Sequence, residues 1–392
     1  MDSPVFHFAW VKKIVPLLVL GLLGYGSFVA FYSLGYLEIY THHSHGVAIT
    51  LWVILGLSVP LVLYYWASLL LVGPGKAPKF QPFDLYGVDQ SLATPPQYFM
   101  CDENGFPFWC SNCQSLKLPR SFHSKDMGYC VLKFDHYCVW VGTVIGQDNY
   151  IYFLKFVWWV FVTFFTALIF LAVYTKDNAD RGLNHNFIVL FIFSGMWVLI
   201  LASLLGSQLL YISKNMTMLD DVSKKQHKRY TRWSNSSRRN PKRKPRKEDG
   251  KRYINLARPI DSHDSISSTC HRAVVQYTLK ETPYSYGFIA NWNNLWLNGN
   301  GPHLIPQVQQ TKQFIRCVLM FFIPFTEPFP KRKVYNNNDT SKQDLEDHGN
   351  YEKYCDSLNE NFENFLQEKI EKGDFYLPQY VNPTTKDNSE DE

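Results

Sequence analysis

The stretch GVAITLWVILGLSVPLVLYYWASLLLVG, residues 46–73, contains no charged side chain. A helix needs about 20 mainly apolar residues to cross the hydrocarbon core of a bilayer. Helices in soluble proteins rarely run this long without a polar face. The stretch therefore predicts a membrane-spanning helix.

Three further apolar runs have the same character. Residues 14–36 and 187–213 are uncharged, and residues 151–175 carry only Lys155. The first run is too long for a cleavable signal peptide and ends in no small-residue cleavage site, so we interpret it as a retained span. The fold class predicted is an α-helical polytopic membrane protein with four transmembrane helices.

The distribution of basic residues predicts the orientation of these helices. Lys12 and Lys13 precede the first helix, and the loop at 74–150 and the chain after residue 213 are richer in Lys and Arg than the two short loops. By the positive-inside rule, the N-terminus (1–13), the 74–150 loop and the C-terminus face the cytosol. Most of the eight cysteines then lie in a reducing compartment, which favours metal-binding or catalytic roles over disulfides.

The chain beyond the fourth helix divides by composition. Residues 214–330 form a predicted cytosolic region, within which the linker 224–252 holds fourteen Lys or Arg. We interpret this linker as solvated and attracted to an anionic leaflet, and not as a nucleic-acid site, because it is tethered beside a membrane. The apolar run at 314–325 is too short to span and predicts an interfacial or groove-packed helix.

The last part of the chain, residues 331–392, is acidic and polar. Such a composition predicts a largely disordered tail. One weak amphipathic pattern, Tyr354, Leu358, Phe362 and Leu366, is compatible with a short helix.

The 74–150 loop contains the sequence CSNCQSLKLPRSFHSKDMGYC. It spaces Cys110, Cys113, His123 and Cys130 by two, nine and six residues. A CxxC pair supplies two thiolates from one turn, and a distant His and Cys complete a tetrahedral zinc site. Four protein ligands leave no open position for water, so the predicted metal is structural and stabilises a loop that has few aliphatic residues.

The sequence KFDHYCVWVG at 133–142 places Asp135, His136 and Cys138 within four residues. In an extended segment the side chains at i and i+2 share a face, so His136 is expected to reach the Cys138 sulfur. The imidazole would take the thiol proton and Asp135 would orient the ring, which is the arrangement of a nucleophilic acyl-transfer site.

The chain resembles the DHHC-type protein S-acyltransferases. The diagnostic part is the C-x2-C-x9-H…C-x4-D-H-x-C pattern within residues 110–153, placed between the second and third of four helices. Weaker matches lie at GPG (73–75), LPRSFH (118–123), NMTMLD (215–220) and the C-terminal block beginning PYSYGFIANWNNLW (283–305). The D-H-Y-C variant and the absence of ankyrin repeats resemble small fungal members of the family.

The resemblance implies a reason for the Tyr in D-H-Y-C. The family's loop usually binds two zincs, and the second set of ligands corresponds here to Ser124, Met127, Tyr137 and Val144. All four are lost together, while every ligand of the first set is kept. The sequence therefore predicts a single zinc. We expect an apolar cluster in place of the second, made of Phe122, Met127, Tyr129, Tyr137, Val139, Val144 and Ile145.

The resemblance also implies the reaction. Cys138 would take a fatty acyl group, most often from palmitoyl-CoA, and pass it to a cysteine of a membrane-associated protein at the cytosolic face. The bilayer-embedded helices would hold the acyl chain, with Trp140 at the mouth. Arg120 and Lys133 would meet the CoA phosphates. The predicted location is a plasma membrane or endomembrane. Val139 replaces the family's usual Pro after the nucleophile.

An alternative from another class is a non-catalytic membrane adaptor whose one-zinc loop binds partners. The loss of a whole zinc site favours it. The intact Asp135, His136 and Cys138 disfavour it, because a scaffold has no need of all three. A transporter is disfavoured, because no helix carries an acidic residue near mid-membrane.

Overall fold

The computed structural model describes eight ranges of the chain: 11–87, 92–182, 184–225, 251–258, 272–278, 280–296, 307–327 and 351–380. The terminus before residue 11, most of the basic linker, the end of the 283–305 block and parts of the acidic tail lie outside the described residues.

The four predicted apolar helices are confirmed as helices long and apolar enough to cross a membrane. Their bounds are α1 Val11–Phe28, which continues as a π-helix over Val29–Tyr40, then α2 His45–Val72, α3 Tyr150–Asp180 and α4 His185–Ser213. They extend past the predicted spans because polar residues at the ends, such as those of KDNAD at 176–180, continue the backbone hydrogen bonds.

Nine short strands lie in four antiparallel sheets. They are β1 Tyr98–Cys101, β2 Trp109–Cys110, β3 Ser115–Leu116, β4 Phe122–Ser124, β5 Tyr129–Val131, β6 His136–Cys138, β7 Thr143–Ile145, β8 Lys251–Ala257 and β9 Arg272–Thr278. The pairs β2–β3, β4–β5 and β6–β7 are hairpins, and the fourth sheet has the strand order β1-β8-β9. The remaining helices are α5 Phe288–Trp296, α6 Gln307–Phe322, a 3₁₀ turn at Tyr351–Tyr354 and α7 Glu360–Glu371.

The chain divides into two compact units, which we describe separately. The helical unit comprises Met1–Gly75, Asp135–Ser213 and Thr311–Pro330. The loop unit comprises Lys76–Phe134, Lys214–Gln310 and Lys331–Glu392.

In the helical unit, the β6–β7 hairpin packs against the helices. Cys138 and Ile145 share a buried cluster with residues of α2 and α3, among them Trp66 and Phe153. The Trp66 indole donates a hydrogen bond to the Val141 carbonyl at 3.1 Å. Burial of this hairpin by large apolar side chains stabilises the position of the D-H-Y-C stretch.

The single charge in the third apolar run has a buried partner. Lys155 donates to the Ile323 carbonyl at 2.7 Å and to the Thr326 hydroxyl at 2.8 Å, and its ammonium lies 2.5 Å from a Glu327 oxygen. The Tyr65 hydroxyl donates to the same carboxylate at 2.6 Å. A buried ammonium needs such a partner set, since its desolvation is otherwise very costly.

The apolar run at 314–325 lies in α6 and the turn that follows it. Cys317 and Phe321 are buried, while Ile315, Leu319 and Phe322 are exposed. The helix is therefore partly packed, as the sequence predicted.

Part of the acidic tail contains the short helix that its amphipathic pattern predicted. Within residues 351–380, α7 places Phe362 and Leu366 in a buried cluster with Ile254 and Val275 of the β1-β8-β9 sheet. The Asn359 side chain caps α7 by accepting from the Phe362 amide. Disorder over most of 331–392 stays a prediction, whereas within 351–380 a few well-spaced apolar residues have a sheet to cover.

Candidate active site and zinc-binding cluster

The four predicted zinc ligands meet in the loop unit. The β2–β3 hairpin carries Cys110 and Cys113, with Gln114 in the left-handed region at φ 52° completing its turn. The β4–β5 hairpin places His123 directly opposite Cys130. Each of the two hairpins thus carries two of the four predicted zinc ligands.

The geometry of these side chains suits one metal ion. The four ligand atoms all lie within 4.8 Å of one another, and the Cys113 sulfur lies 3.2 Å from His123 Nδ1. Two sulfurs bound to one tetrahedral zinc at about 2.3 Å lie about 3.8 Å apart, so small adjustments would complete the site. Cys110 and Cys130 are buried, which suits a structural metal.

The residues at the family's second zinc site make other contacts. The Met127 amide donates to the Ser124 hydroxyl at 3.3 Å, which closes a turn. Tyr137 and Val144 are cross-strand partners in β6–β7. Within the described chain, the Cys110 cluster is the single group of three or more potential ligands that could hold a metal.

The members of the predicted apolar replacement cluster differ in exposure. Phe122 is 47% exposed and Val144 is fully buried. The Tyr137 ring lies 4.6 Å from the Lys12 ammonium, a cation–π contact. Local hydrogen bonds and this cation–π contact thus supply part of the stabilisation that the apolar cluster was expected to provide.

The D-H-Y-C residues come together on the β6–β7 hairpin of the helical unit. Asp135 is buried, and its Oδ2 lies 2.8 Å from His136 Nδ1. His136 and Cys138 project from the same face of β6, which places the thiol beside the imidazole. Tyr137 projects from the opposite face, because side chains alternate along a strand.

Two local features fix this hairpin. The Gly142 amide donates to the Cys138 carbonyl at 2.8 Å, and Gly142 has φ 81°, a conformation that favours glycine. A Cβ at this position would lie 2.8 Å from a ring carbon of Pro16 in α1. Any side chain at residue 142 would therefore disturb the turn that follows the thiol.

The imidazole of His136 is held in its charged form. Burial lowers its pKa, but the hydrogen bonds and charges of Asp135 and Cys138 outweigh that effect and raise the pKa to about 9. An imidazolium beside a sulfur favours the thiolate, which is the nucleophilic form of cysteine.

The three residues predicted to meet acyl-CoA have different surroundings. Trp140 is 55% exposed and makes an edge contact with Trp197 at 5.3 Å. Arg120 and Lys133, in the loop unit, both form ion pairs with Asp356, at 3.1 Å and 2.7 Å. Sequence reasoning missed Asp356, which carries no local signal within an acidic tail.

A cavity of about 360 Å³ lies in the loop unit. Its walls include Arg120, Lys117, Lys214 and Arg252, together with several aromatic side chains. Tyr284 also lines it, and the buried Tyr284 hydroxyl has no hydrogen-bond partner among the described residues. A basic, partly aromatic cavity of this size suits an anionic ligand with a planar group.

Comparison with known proteins decides the family. A family model for DHHC palmitoyltransferases matches residues 103–225. Palmitoyltransferase PFA5 of Candida albicans is 41% identical over 397 aligned residues, which cover 97% of this chain and 95% of the relative. The chain belongs to the DHHC palmitoyltransferase family. Palmitoyltransferases PFA5 of Saccharomyces cerevisiae (32% identical; 57% of this chain and 66% of the relative) and Eremothecium gossypii (28%; 93% of each) are also similar.

These findings confirm the resemblance to fungal DHHC palmitoyltransferases that the sequence motifs indicated. The chain is a protein S-palmitoyltransferase, and the adaptor interpretation is set aside. The matched segment of this palmitoyltransferase contains both the zinc-binding cluster and the D-H-Y-C hairpin.

The raised pKa of His136 predicts a pH-dependent stability for this palmitoyltransferase. The imidazolium interactions are fully present below the unfolded-state pKa of about 6.5, and they are lost as the pH rises through about 9. We therefore expect wild type to lose more thermal stability between pH 6.5 and 9.5 than His136→Gln does. Thermal unfolding of both proteins in one detergent measures this, and parallel pH profiles would contradict it.

Proposed function

We propose that Cys138 carries the acyl group, with His136 as its base and Asp135 as the residue that orients the imidazole. The observation that carries this proposal is the buried Asp135–His136 hydrogen bond at 2.8 Å beside the Cys138 thiol. The acyl donor, the acceptor proteins and the membrane are inferred from the family and from the charge pattern of the sequence.

The first half-reaction uses these side chains as follows. In the reactive pair the Cys138 proton has passed to His136, which is an imidazolium, and the thiolate attacks the thioester carbonyl of palmitoyl-CoA. The bond from this carbon to the CoA sulfur breaks, and CoA leaves with the proton from the imidazolium. In the second half, a substrate cysteine gives its proton to His136, attacks the acyl-enzyme and releases Cys138.

Palmitoyl-CoA is the proposed donor, and the basic cavity is the proposed site of its nucleotide end. Lys117, Lys214 and Arg252 supply cations for the phosphates, and Tyr253 and Tyr277 offer aromatic faces. Arg120 lines this cavity, as expected for a CoA contact. Lys133 does not line it and would act through its ion pair with Asp356. Trp140, exposed on the hairpin side, is proposed to meet the incoming acyl chain.

We further propose zinc as the metal of the Cys110, Cys113, His123 and Cys130 cluster, in a structural role. The acceptors are membrane-associated proteins with cytosolic cysteines. The four helices lie in a plasma membrane or endomembrane with both termini in the cytosol, where the positive-inside rule places them.

Mapping the acylated residue tests the proposal. The full chain in detergent is incubated with palmitoyl-CoA and digested under conditions that preserve thioesters, and the peptides are sequenced by mass spectrometry. We expect a hydroxylamine-labile palmitoyl group on the peptide that contains Cys138. Palmitate confined to Cys317 or Cys355 would overturn the assignment.

A further inference from the structure

Asp356 forms ion pairs with two cations of the loop unit that lie far from it in the sequence. Its two carboxylate oxygens accept from Arg120 Nη1 at 3.1 Å and from the Lys133 ammonium at 2.7 Å. The Asp356 side chain is 8% exposed. One buried carboxylate therefore pairs with two side chains that the sequence predicted to bind phosphates.

The backbone at this network is held in unusual conformations. Arg120, Lys133 and Asn215 all have positive φ angles, of 60°, 42° and 45°. Asn215 accepts from Arg120 Nη1 at 3.3 Å and donates to the Tyr284 carbonyl at 2.7 Å. Non-glycine residues keep such conformations only where the surroundings over-determine them, and they cluster at functional sites.

One carboxylate hydrogen-bonds the Arg120 guanidinium and a second lies beside it. Asp356 accepts from Nη1, and an Asp220 oxygen lies 3.3 Å from Nε, which makes no hydrogen bond within the described residues. Asp220 is itself fixed, because its carboxylate accepts from the Thr217 amide at 3.0 Å in a reciprocal helix cap. The Nη2 group has no hydrogen-bond or ion-pair partner among the residues that the structure describes.

The charges around the cavity favour an anionic ligand. Within the described chain, Lys117, Lys214 and Arg252 have no carboxylate partner, and all three line the same cavity as Arg120. A planar guanidinium that is hydrogen-bonded at Nη1 presents its Nη2 group in one orientation. Such pre-organisation reduces the entropy lost when a phosphate binds.

The segment that carries Asp356 is firmly attached to the loop unit. The Tyr351 hydroxyl donates to the Lys117 carbonyl at 3.1 Å, and the Tyr98 hydroxyl donates to the Asp356 carbonyl at 3.3 Å. The Asn359 amide donates to the Pro283 carbonyl at 2.8 Å. The segment lies outside residues 103–225, the part matched by the family model.

We propose that Asp356 is a positioning residue for acyl-CoA: it orients the Arg120 guanidinium so that its Nη2 group meets the phosphates in the cavity. The proposal rests on the proposed assignment of this cavity to the nucleotide end of palmitoyl-CoA. It gives the C-terminal segment 351–380 a role in donor binding.

Two donors that differ in the nucleotide test the proposal. Acyl transfer by the full chain in detergent is measured with palmitoyl-CoA and with palmitoyl-pantetheine, which lacks the nucleotide. Asp356→Asn is expected to raise the KM for palmitoyl-CoA about tenfold, with kcat within about twofold of wild type and an unchanged rate with palmitoyl-pantetheine. Asp356→Glu, which keeps the charge, should recover most of the affinity.

Asp374→Asn is the matched control, because Asp374 is an exposed carboxylate of the same segment that pairs with Lys369. It should leave both donors unaffected. Melting temperature and zinc content are measured for each protein. If Asp356→Asn does not fold, Arg120→Lys replaces it in the test. This variant keeps the charge but loses the guanidinium that Asp356 holds, and it should show the same selective rise in KM.

Three outcomes would overturn the proposal. An equal loss with both donors means that Asp356 is only structural. A lower KM for palmitoyl-CoA means that Asp356 competes with the phosphates. An unchanged KM means that Arg120 needs no positioning. If neither donor acylates the wild-type protein, the assignment of Cys138 is contradicted. That result is distinct from a failure of the Asp356 proposal.

Discussion

Cys138→Ser is expected to abolish hydroxylamine-labile labelling by radioactive palmitoyl-CoA, and Asp135→Asn to slow it by about 10²–10⁴-fold. Serine has no thiol to form a thioester. Asparagine cannot stabilise the imidazolium, and its amide group disturbs the hydrogen bond that now joins Asp135 to His136 Nδ1. Single-turnover labelling of the purified chain measures both rates.

Cys317→Ser is the control for this experiment. Cys317 is fully buried, and burial raises the pKa of its thiol to about 11, so it should contribute no nucleophile at neutral pH. Full labelling of this variant is expected. Label that survives Cys138→Ser, or that disappears with Cys317→Ser, would remove Cys138 from the reaction.

One zinc per chain is the expected result of metal analysis, and His123→Ala is expected to unfold the loop that carries the cluster. A structural zinc contributes about 10–16 kcal/mol in small domains, whereas whole domains are stable by only about 5–15 kcal/mol. Loss of one of four ligands therefore removes an interaction as large as the stability of the loop. Zinc content and thermal unfolding, with and without a chelator, measure the effect.

Ser124→Ala is the matched control for the zinc experiment. Ser124 is adjacent to His123 and occupies a ligand position of the family's second site, but its hydroxyl accepts only one hydrogen bond, from the Met127 amide. Removing it should cost about 1 kcal/mol and no zinc. Two zincs per chain in wild type, or loss of zinc in this variant, would show that the second site has not disappeared.

The candidate site was largely predictable because its residues are close in sequence. Ligand spacing at Cys110, Cys113, His123 and Cys130 reflects the reach of two hairpins, and the i, i+2 relation of His136 and Cys138 is a property of any extended strand. The structure adds the pairing His123–Cys130 and the turn at Gly142. The expected apolar cluster stays a prediction, because it depends on which side chains the packed chain covers.

By itself, the sequence determined the four apolar helices, the zinc-ligand set and the extended D-H-Y-C stretch of this palmitoyltransferase. These depend on local quantities, namely the length of apolar runs and the spacing of ligands. Only the tertiary structure decided the partners of isolated charges: Lys155 with Glu327, and Arg120 with Asp356, which is 236 residues away. Buried charges take whichever partner the packed chain brings within about 3 Å, and no local pattern encodes that choice.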